Sequence, residues 1–207
     1  MRRALQAVFF AALVRPFLTL FIGLRVRGRE HLPAADPFVL IANHTSHLDT
    51  VALLSLFPLR RLGRIRPVAA ADYFLAGKAR AWVSRTLFNI LPVARRKVTR
   101  ANNPLAVMRA ALAVGESLIL FPEGTRGQNG EPGRFLPGVA HLAEACPEVP
   151  IVPAYLVNLG RSLPKGTVLP VPFFAEVRLG PPLHPTGTRD EILAALEAAV
   201  SELRDAE

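Results

Sequence analysis

Seven consecutive residues, Asn43-His44-Thr45-Ser46-His47-Leu48-Asp49, carry two imidazoles, two hydroxyls and a carboxylate. They follow an apolar run at 38–42 and open a stretch of helical periodicity at 46–57, which stops at Pro58. Open α/β sheets place their ligand sites at such strand ends. With Ser46 as helix cap, Asp49 falls at the third helical position, and His44 lies ahead of the cap and folds back toward it. The carboxylate would then fix one imidazole nitrogen and leave the other as a base, two-thirds of a triad with no nucleophile beside it. The spacing Ser46-x-x-Asp49 is equally that of a capping box, and an acidic residue in the first turn is favourable by itself. Both readings stand on these residues alone. His47 sits two positions from Asp49, nearly opposite it on a helix, so that pair does not meet. His44-x-x-His47 lacks a third ligand pattern, the remaining histidines being scattered at His31, His141 and His184, which leaves zinc little support. Ser46 lacks the Gly-x-Ser-x-Gly elbow of an activated serine.

A second constellation is Phe121-Pro122-Glu123-Gly124-Thr125-Arg126. A buried strand at 117–121 closes at Pro122 and delivers a carboxylate, a glycine whose backbone can approach a ligand, a hydroxyl and a guanidinium. Arg126 suits bidentate contact with a phosphate, with the amides of Gly124 and Thr125 and the Thr125 hydroxyl as further donors. Glu123 would repel a phosphate, so it is expected to pair with an arginine or accept from a substrate hydroxyl. The alternative is a strand-end turn carrying a surface ion pair.

The elements that must position these groups alternate in type. Strand-like runs fall at 38–42, 67–70, 90–94, 117–121, 151–157 and 173–179. Helix-like segments fall at 46–57, 79–88, 102–114, 139–146 and 189–204. The run at 173–179 alternates charged with apolar residues at Glu176 and Arg178, which suits an edge or one-sided strand. Strands separated by helices predict an α/β fold with a mixed, largely parallel central sheet flanked by helices. The Gly-rich stretch 124–133 reads as a loop at the site's edge.

The chain has 207 residues, 51% hydrophobic and 20% charged, which excludes disorder and supports one core. Cys146 is its only cysteine, so no intrachain disulfide forms. Net charge is +9, unevenly placed: residues 1–115 carry 18 basic and 4 acidic side chains, residues 116–207 carry 7 and 12. The basic half points toward an anionic partner, a lipid surface or nucleic acid. Residues 4–24 are apolar except for Arg15-Pro16 near the middle, where a charge and a helix breaker oppose a bilayer span. No small-residue cleavage site follows. Two short apolar helical pieces lying on or in a membrane, flanked by Arg2, Arg3, Arg15, Arg25, Arg27 and Arg29, are therefore expected, with a helix packed over the core as the alternative. A second basic cluster at Arg60, Arg61, Arg64 and Arg66 is placed to touch the same surface. The expected division is a membrane-associating segment at 1–24 and a catalytic domain at 25–207.

Taken together, Asn-His-x-Ser-x-x-Asp and, some 70 residues on, Phe-Pro-Glu-Gly-Thr-Arg resemble the glycerolipid acyltransferases of the 1-acylglycerol-3-phosphate acyltransferase type, over most of residues 25–180. The resemblance implies that His44 deprotonates the acceptor hydroxyl and Asp49 orients it. It also implies that Glu123, Gly124, Thr125 and Arg126 hold the glycerol-phosphate part, with Arg95, closing Ile90-Leu91-Pro92-Val93-Ala94-Arg95, on the phosphate. A proline-containing motif is similar to Val149-Pro150-Ile151-Val152-Pro153-Ala154, assigning Pro150, Val152 and Pro153 to the acyl or acceptor pocket. The expected partners are a lysophospholipid acceptor, an acyl-CoA or acyl carrier protein thioester and a membrane lipid surface at the cytoplasmic face, with no nucleic acid, cofactor or metal. Two departures stand out. Asn89 and Ala94 replace a glycine and an acidic residue around the Arg95 segment, and Phe135-Leu136-Pro137-Gly138 has a leucine where a lysine is common. The second leaves another lysolipid acceptor open. A nucleic-acid-binding protein would interleave aromatics with arginine, but here they cluster in apolar runs such as Phe9, Phe10, Phe17 and Phe21.

Overall fold

A computed structural model describes residues 2–206 except 75–76, 96–97, 100–101, 126, 128–132, 165–166, 168 and the side chain of Tyr73. The strands are β1 (Arg25–Arg27), β2 (Val39–Ala42), β3 (Ile65–Ala70), β4 (Leu91–Val93), β5 (Ser117–Leu120), β6 (Ile151–Val157) and β7 (Glu176–Leu179). They form one sheet in the order β1-β7-β6-β2-β5-β3-β4. Every pairing is parallel except β6 with β7. This is the mixed, largely parallel α/β architecture expected from the sequence.

β2 lies at the centre, with Leu40 opposite Ile119 of β5 on one side and Val152 of β6 on the other. All four of its residues are buried, as a strand covered on both faces must be. The faces divide by alternation. Leu40, Ala42 and Ile119 join one core cluster; Val39, Ile41, Leu118 and Leu120 join the other. The first face is covered by α1 (Arg2–Phe21) and α2 (His47–Ser55). The second is covered by α5 (Pro104–Ala113), α6 (Gly138–Ala145) and α8 (Arg189–Asp205). Short α3 (Ala71–Phe74) and α4 (Lys78–Thr86) link β3 to β4, and α7 (Leu159–Ser162) follows β6.

The amino end departs from the expected pair of short pieces. α1 is a single 20-residue helix, α-helical at Arg2–Phe9 and widened into π-helical turns at Phe10–Val14 and Phe17–Phe21. Pro16 lies between those turns, where the widened spiral gives its ring room against the preceding carbonyls. The buried residues explain the widening: Gln6, Phe10, Val14, Leu18 and Ile22 recur every fourth position. In an α-helix a four-residue step overshoots a full turn by about 40°, so such a stripe would wind off the domain. The π-helical turns take back that drift and keep one edge against the core. The helix is apolar enough to cross a membrane by length and composition, with 22% of it buried in the fold. Leu5, Val8, Leu13 and Leu20 face outward.

The basic clusters are partly consumed by the fold. Arg15 donates to Phe57 O at 2.6 Å and Arg29 to Leu56 O at 2.8 Å, both past the end of α2, where the helix dipole favours cations. Arg61 pairs with Asp36 at 2.7 Å and Arg66 with Glu116 at 2.9 Å. Those two are internal ties rather than part of a shared lipid-facing cluster. β7 is one-sided, as expected, but not the edge: β1, a three-residue strand with two arginines, lies outside it.

Candidate active site

The carboxyl ends of β2 and β5 lie side by side, and each releases one of the two constellations. Where the ladder between β2 and β6 stops, the Asn43 side chain replaces a backbone partner. Its Oδ1 accepts from Leu156 N at 2.7 Å and its Nδ2 donates to Leu156 O at 3.1 Å. Asn43 is buried, so both bonds form away from water. The chain then turns sharply into α2.

His44 Nδ1 lies 2.9 Å from Asp49 Oδ2. The same oxygen accepts from Thr45 N at 2.6 Å and Ser46 N at 2.8 Å, and Ser46 Oγ accepts from Leu48 N at 3.2 Å. The capping box and the imidazole–carboxylate pair are thus one structure, with a single fully buried carboxylate performing both tasks. Ser46 Oγ also donates to Leu163 O at 2.9 Å and has no exposure, so it does not face a substrate. The loop is tight against its neighbour: a Cβ on Gly160 would lie 2.9 Å from Thr45 Cβ.

The second constellation holds the first by its backbone. Glu123 Oε1 accepts from His44 N at 2.9 Å, Glu123 Oε2 accepts from Gly133 N at 2.9 Å, and Gly127 N donates to His44 O at 2.8 Å. The Phe121 ring stacks on the His44 imidazole, centroids 4.1 Å apart and planes 18° from parallel. Burial pushes the Glu123 carboxyl above the ordinary glutamate range, opposed by the amides of Gly133 and His44. Where the sequence suggests an arginine or a substrate hydroxyl as its partner, both oxygens are engaged by backbone N–H groups. Gly124 adopts φ +71°, and a Cβ there would come 2.5 Å from Leu136 Cδ1.

A cavity of about 860 Å³ opens between these strand ends and the segments after β3 and β4. His44, Glu123, Gly124, Thr125 and Arg95 lie along it, with His47, and its remaining wall is largely apolar, including Phe74, Ile90, Val93, Met108, Leu136 and Val139. Arg126 lies outside the described residues. Pro150, Val152 and Pro153, expected at the acyl or acceptor pocket, are not among the residues that line this cavity. They belong to the start of β6, across β2 from the cleft, where Pro150 O accepts from Val39 N and Val152 is fully buried in the core. Burial pushes the thiol of Cys146 up, with Glu148 adding to the effect, away from the reactive thiolate range. Among the described residues no three His, Cys, Asp or Glu side chains gather as metal ligands would.

Sequence reasoning left Asn43, Phe121 and Gly127 without roles. Asn43 and Phe121 were legible only as members of the two motifs. Their partners, Leu156 and His44, are over 70 positions away, and nothing local signals them.

An imidazole with one nitrogen held by a buried carboxylate, on the wall of a cavity lined by both polar and apolar side chains, can take a proton from an amphipathic substrate. Residues 23–157 match the Acyltransferase family model, and the chain belongs to that family. It is similar to 1-acyl-sn-glycerol-3-phosphate acyltransferase alpha of Bos taurus, 29% identical over 178 residues, covering 84% of this chain and 59% of that protein. The protein of the same name from Homo sapiens is 33% identical over 135 residues, covering 64% and 44%. The chloroplastic 1-acyl-sn-glycerol-3-phosphate acyltransferase LPAT1 of Arabidopsis thaliana is 30% identical over 148 residues, covering 71% and 39%. The chain therefore spans about two-fifths to three-fifths of these relatives. Its fold matches the crystal structure of the 1-acyl-sn-glycerophosphate (LPA) acyltransferase PlsC from Thermotoga maritima, with a TM-score of 0.71, 22% identity and coverage of 99% of this chain and 81% of that one.

Proposed function

We propose that this protein transfers a fatty acyl group from an acyl thioester to the free hydroxyl of a lysophospholipid, converting 1-acylglycerol-3-phosphate to phosphatidic acid. The observation that carries the reading is the 2.9 Å contact between His44 Nδ1 and Asp49 Oδ2, at the wall of a cleft suited to a lipid. With Nδ1 engaged, Nε2 is the nitrogen left for a substrate proton. His44 removes the hydroxyl proton as the oxygen attacks the thioester carbonyl carbon. The tetrahedral adduct collapses, its carbon–sulfur bond breaks, and the imidazolium returns the proton to the departing thiolate. Asp49 holds the tautomer and stabilises the transient imidazolium. General-base catalysis of this kind contributes about 10²–10⁴-fold, and alignment of the two substrates in the cleft supplies more. No acyl-enzyme is needed.

On this reading Arg95 and Arg126, with Gly124 and Thr125, hold the phosphate of the acceptor. Glu123 fixes the backbone of His44 from beneath. The acyl donor is acyl-CoA or acyl carrier protein, with no metal or organic cofactor. Residues 1–24 associate with the cytoplasmic face of a membrane ahead of an acyltransferase domain at 25–207, and the basic first half attracts anionic lipid rather than nucleic acid. A second reading, the same transfer to a lysolipid with another headgroup, is favoured by Leu136. It lies 53% exposed on the cavity wall against Gly124, an apolar side chain where a lysine would offer a phosphate partner.

Mass spectrometry of the products tests both. Purified protein in mixed micelles receives a thioester donor, as CoA or carrier-protein derivative, and a panel of lysolipids, with His44→Ala in parallel. A diacyl product made by the parent and lost in the folded variant supports the transfer, and the panel identifies the acceptor. Equal product from both proteins removes His44 as the base, and no product from any donor overturns the reaction.

A further inference from the structure

The outer end of α1 does not stand alone. Gly23, at φ +66°, lets the chain leave the helix so close to the Phe174 ring that a Cβ there would lie 2.6 Å from Phe174 Cδ1. Phe174 belongs to a stretch, residues 169–174, that reads Leu-Pro-Val-Pro-Phe-Phe. Leu20, Leu169 and Phe174 are 76–83% exposed, and Phe21, Val171 and Phe173 are exposed beside them. Two segments some 150 residues apart thus meet at Gly23 and Phe174, and each carries exposed apolar side chains beside that junction. We propose that residues 169–174 are a second membrane-inserting element, which enters the lipid beside the end of α1 and fixes how the domain sits on the bilayer.

Two features of the stretch favour lipid as the occupant. Its backbone is largely satisfied from within: Val171 N donates to Ser162 O at 2.7 Å and Phe173 N to Val171 O at 2.9 Å. Ser162 Oγ donates to Phe173 O at 3.0 Å and Asn158 Nδ2 to Phe174 O at 3.1 Å, while Pro170 and Pro172 have no N–H to satisfy. A segment so arranged enters an apolar phase without the cost of exposed donors. The surroundings are cationic. Arg161 lies 4.5 Å over the Phe173 ring, and Arg25 follows α1 with its N–H on Ala175 O. Neither makes an ion pair among the described residues, and neither residues 1–29 nor residues 158–175 contain an acidic side chain. Apolar tips flanked in sequence by two arginines that make no ion pair among the described residues complement an anionic leaflet.

The choice of lipid as partner rests on the reading above, but binding is measured without turnover, so an inactive protein leaves this inference standing. Phe174→Trp in a Trp82→Phe background reports insertion into vesicles of phosphatidylcholine and phosphatidylglycerol. Its emission is expected to shift to the blue and to be quenched at least about twofold by lipids brominated on the acyl chain. In a separate protein, Leu169→Ser with Phe174→Ser should weaken vesicle association about tenfold or more and leave the circular-dichroism melt unchanged. An unquenched reporter on vesicles that the protein binds overturns the proposal. So does a blue shift without vesicles accompanied by a doubled mass in sedimentation, which would assign the surface to a second copy of the chain.

Discussion

Glu123 Oε1 accepts a hydrogen bond from the backbone N–H of His44 at 2.9 Å, across 79 positions of sequence. One motif thereby positions the other: the carboxylate holds the peptide that carries the imidazole, and its second oxygen ties the return of the Gly-rich loop at Gly133. Exchange for glutamine leaves one oxygen for two amides and turns an NH₂ group on the second. Glu123→Gln is expected to lower kcat about 10–100-fold through displacement of His44, with the KM for the acceptor nearly unchanged. A rise confined to KM would return Glu123 to substrate binding.

Because burial raises the Glu123 pKa above 4.5, the folded protein holds a proton on this group where the unfolded chain has lost it. Its contribution to stability is therefore fully present below pH 4.5 and is lost as pH rises through the folded-state value. Glu123→Gln removes this dependence. The melting temperature of Glu123→Gln relative to the parent should rise between pH 4 and pH 7, as followed by calorimetry; a constant difference would contradict the direction of the shift.

Asn43→Ala leaves the buried N–H and C=O of Leu156 without partners. Each orphaned group costs about 1–3 kcal/mol, so urea unfolding should show a loss of about 2–6 kcal/mol. Asn43→Asp can accept from Leu156 N but cannot donate to Leu156 O, and it should fare no better. A loss under about 0.5 kcal/mol in Asn43→Ala would mean that β2 and β6 close without this staple.

Leu136→Lys places an ammonium on the cavity wall next to Gly124. It should lower the KM for a lysolipid with a phosphate monoester head, by about tenfold for one new charge-assisted contact, relative to a zwitterionic lysolipid. Competition between the two acceptors in one reaction reads this directly. An unchanged ratio would remove position 136 from headgroup selection.

Much of the arrangement was legible where cause and effect lie close in sequence. His44, Ser46 and Asp49 fall within six residues, and a helix start brings them together whatever surrounds them. The buried strands at β2, β5 and β6 announce themselves by continuous apolar runs. What escaped depends on distant partners. β1 is three residues with two arginines and exists because β7 offers it an edge. Pro150, Val152 and Pro153 were assigned to the substrate by resemblance, and only the strand order shows that β2 lies between β6 and β5. Arg61 and Arg66 look like solvated charge until Asp36 and Glu116 come into place.

The fourfold spacing in α1 makes that helix intolerant of changes in length. Its inward set, Gln6, Phe10, Val14, Leu18 and Ile22, stays in phase only because the spiral is widened at two places. Removing one residue between Phe10 and Phe21 would rotate everything upstream by about 100°, turning residues such as Leu5 and Leu13 toward the domain and lifting Phe10 out. The two surfaces of this helix are thus cut like the two edges of a single key, and a frame slip in one spoils the fit of both.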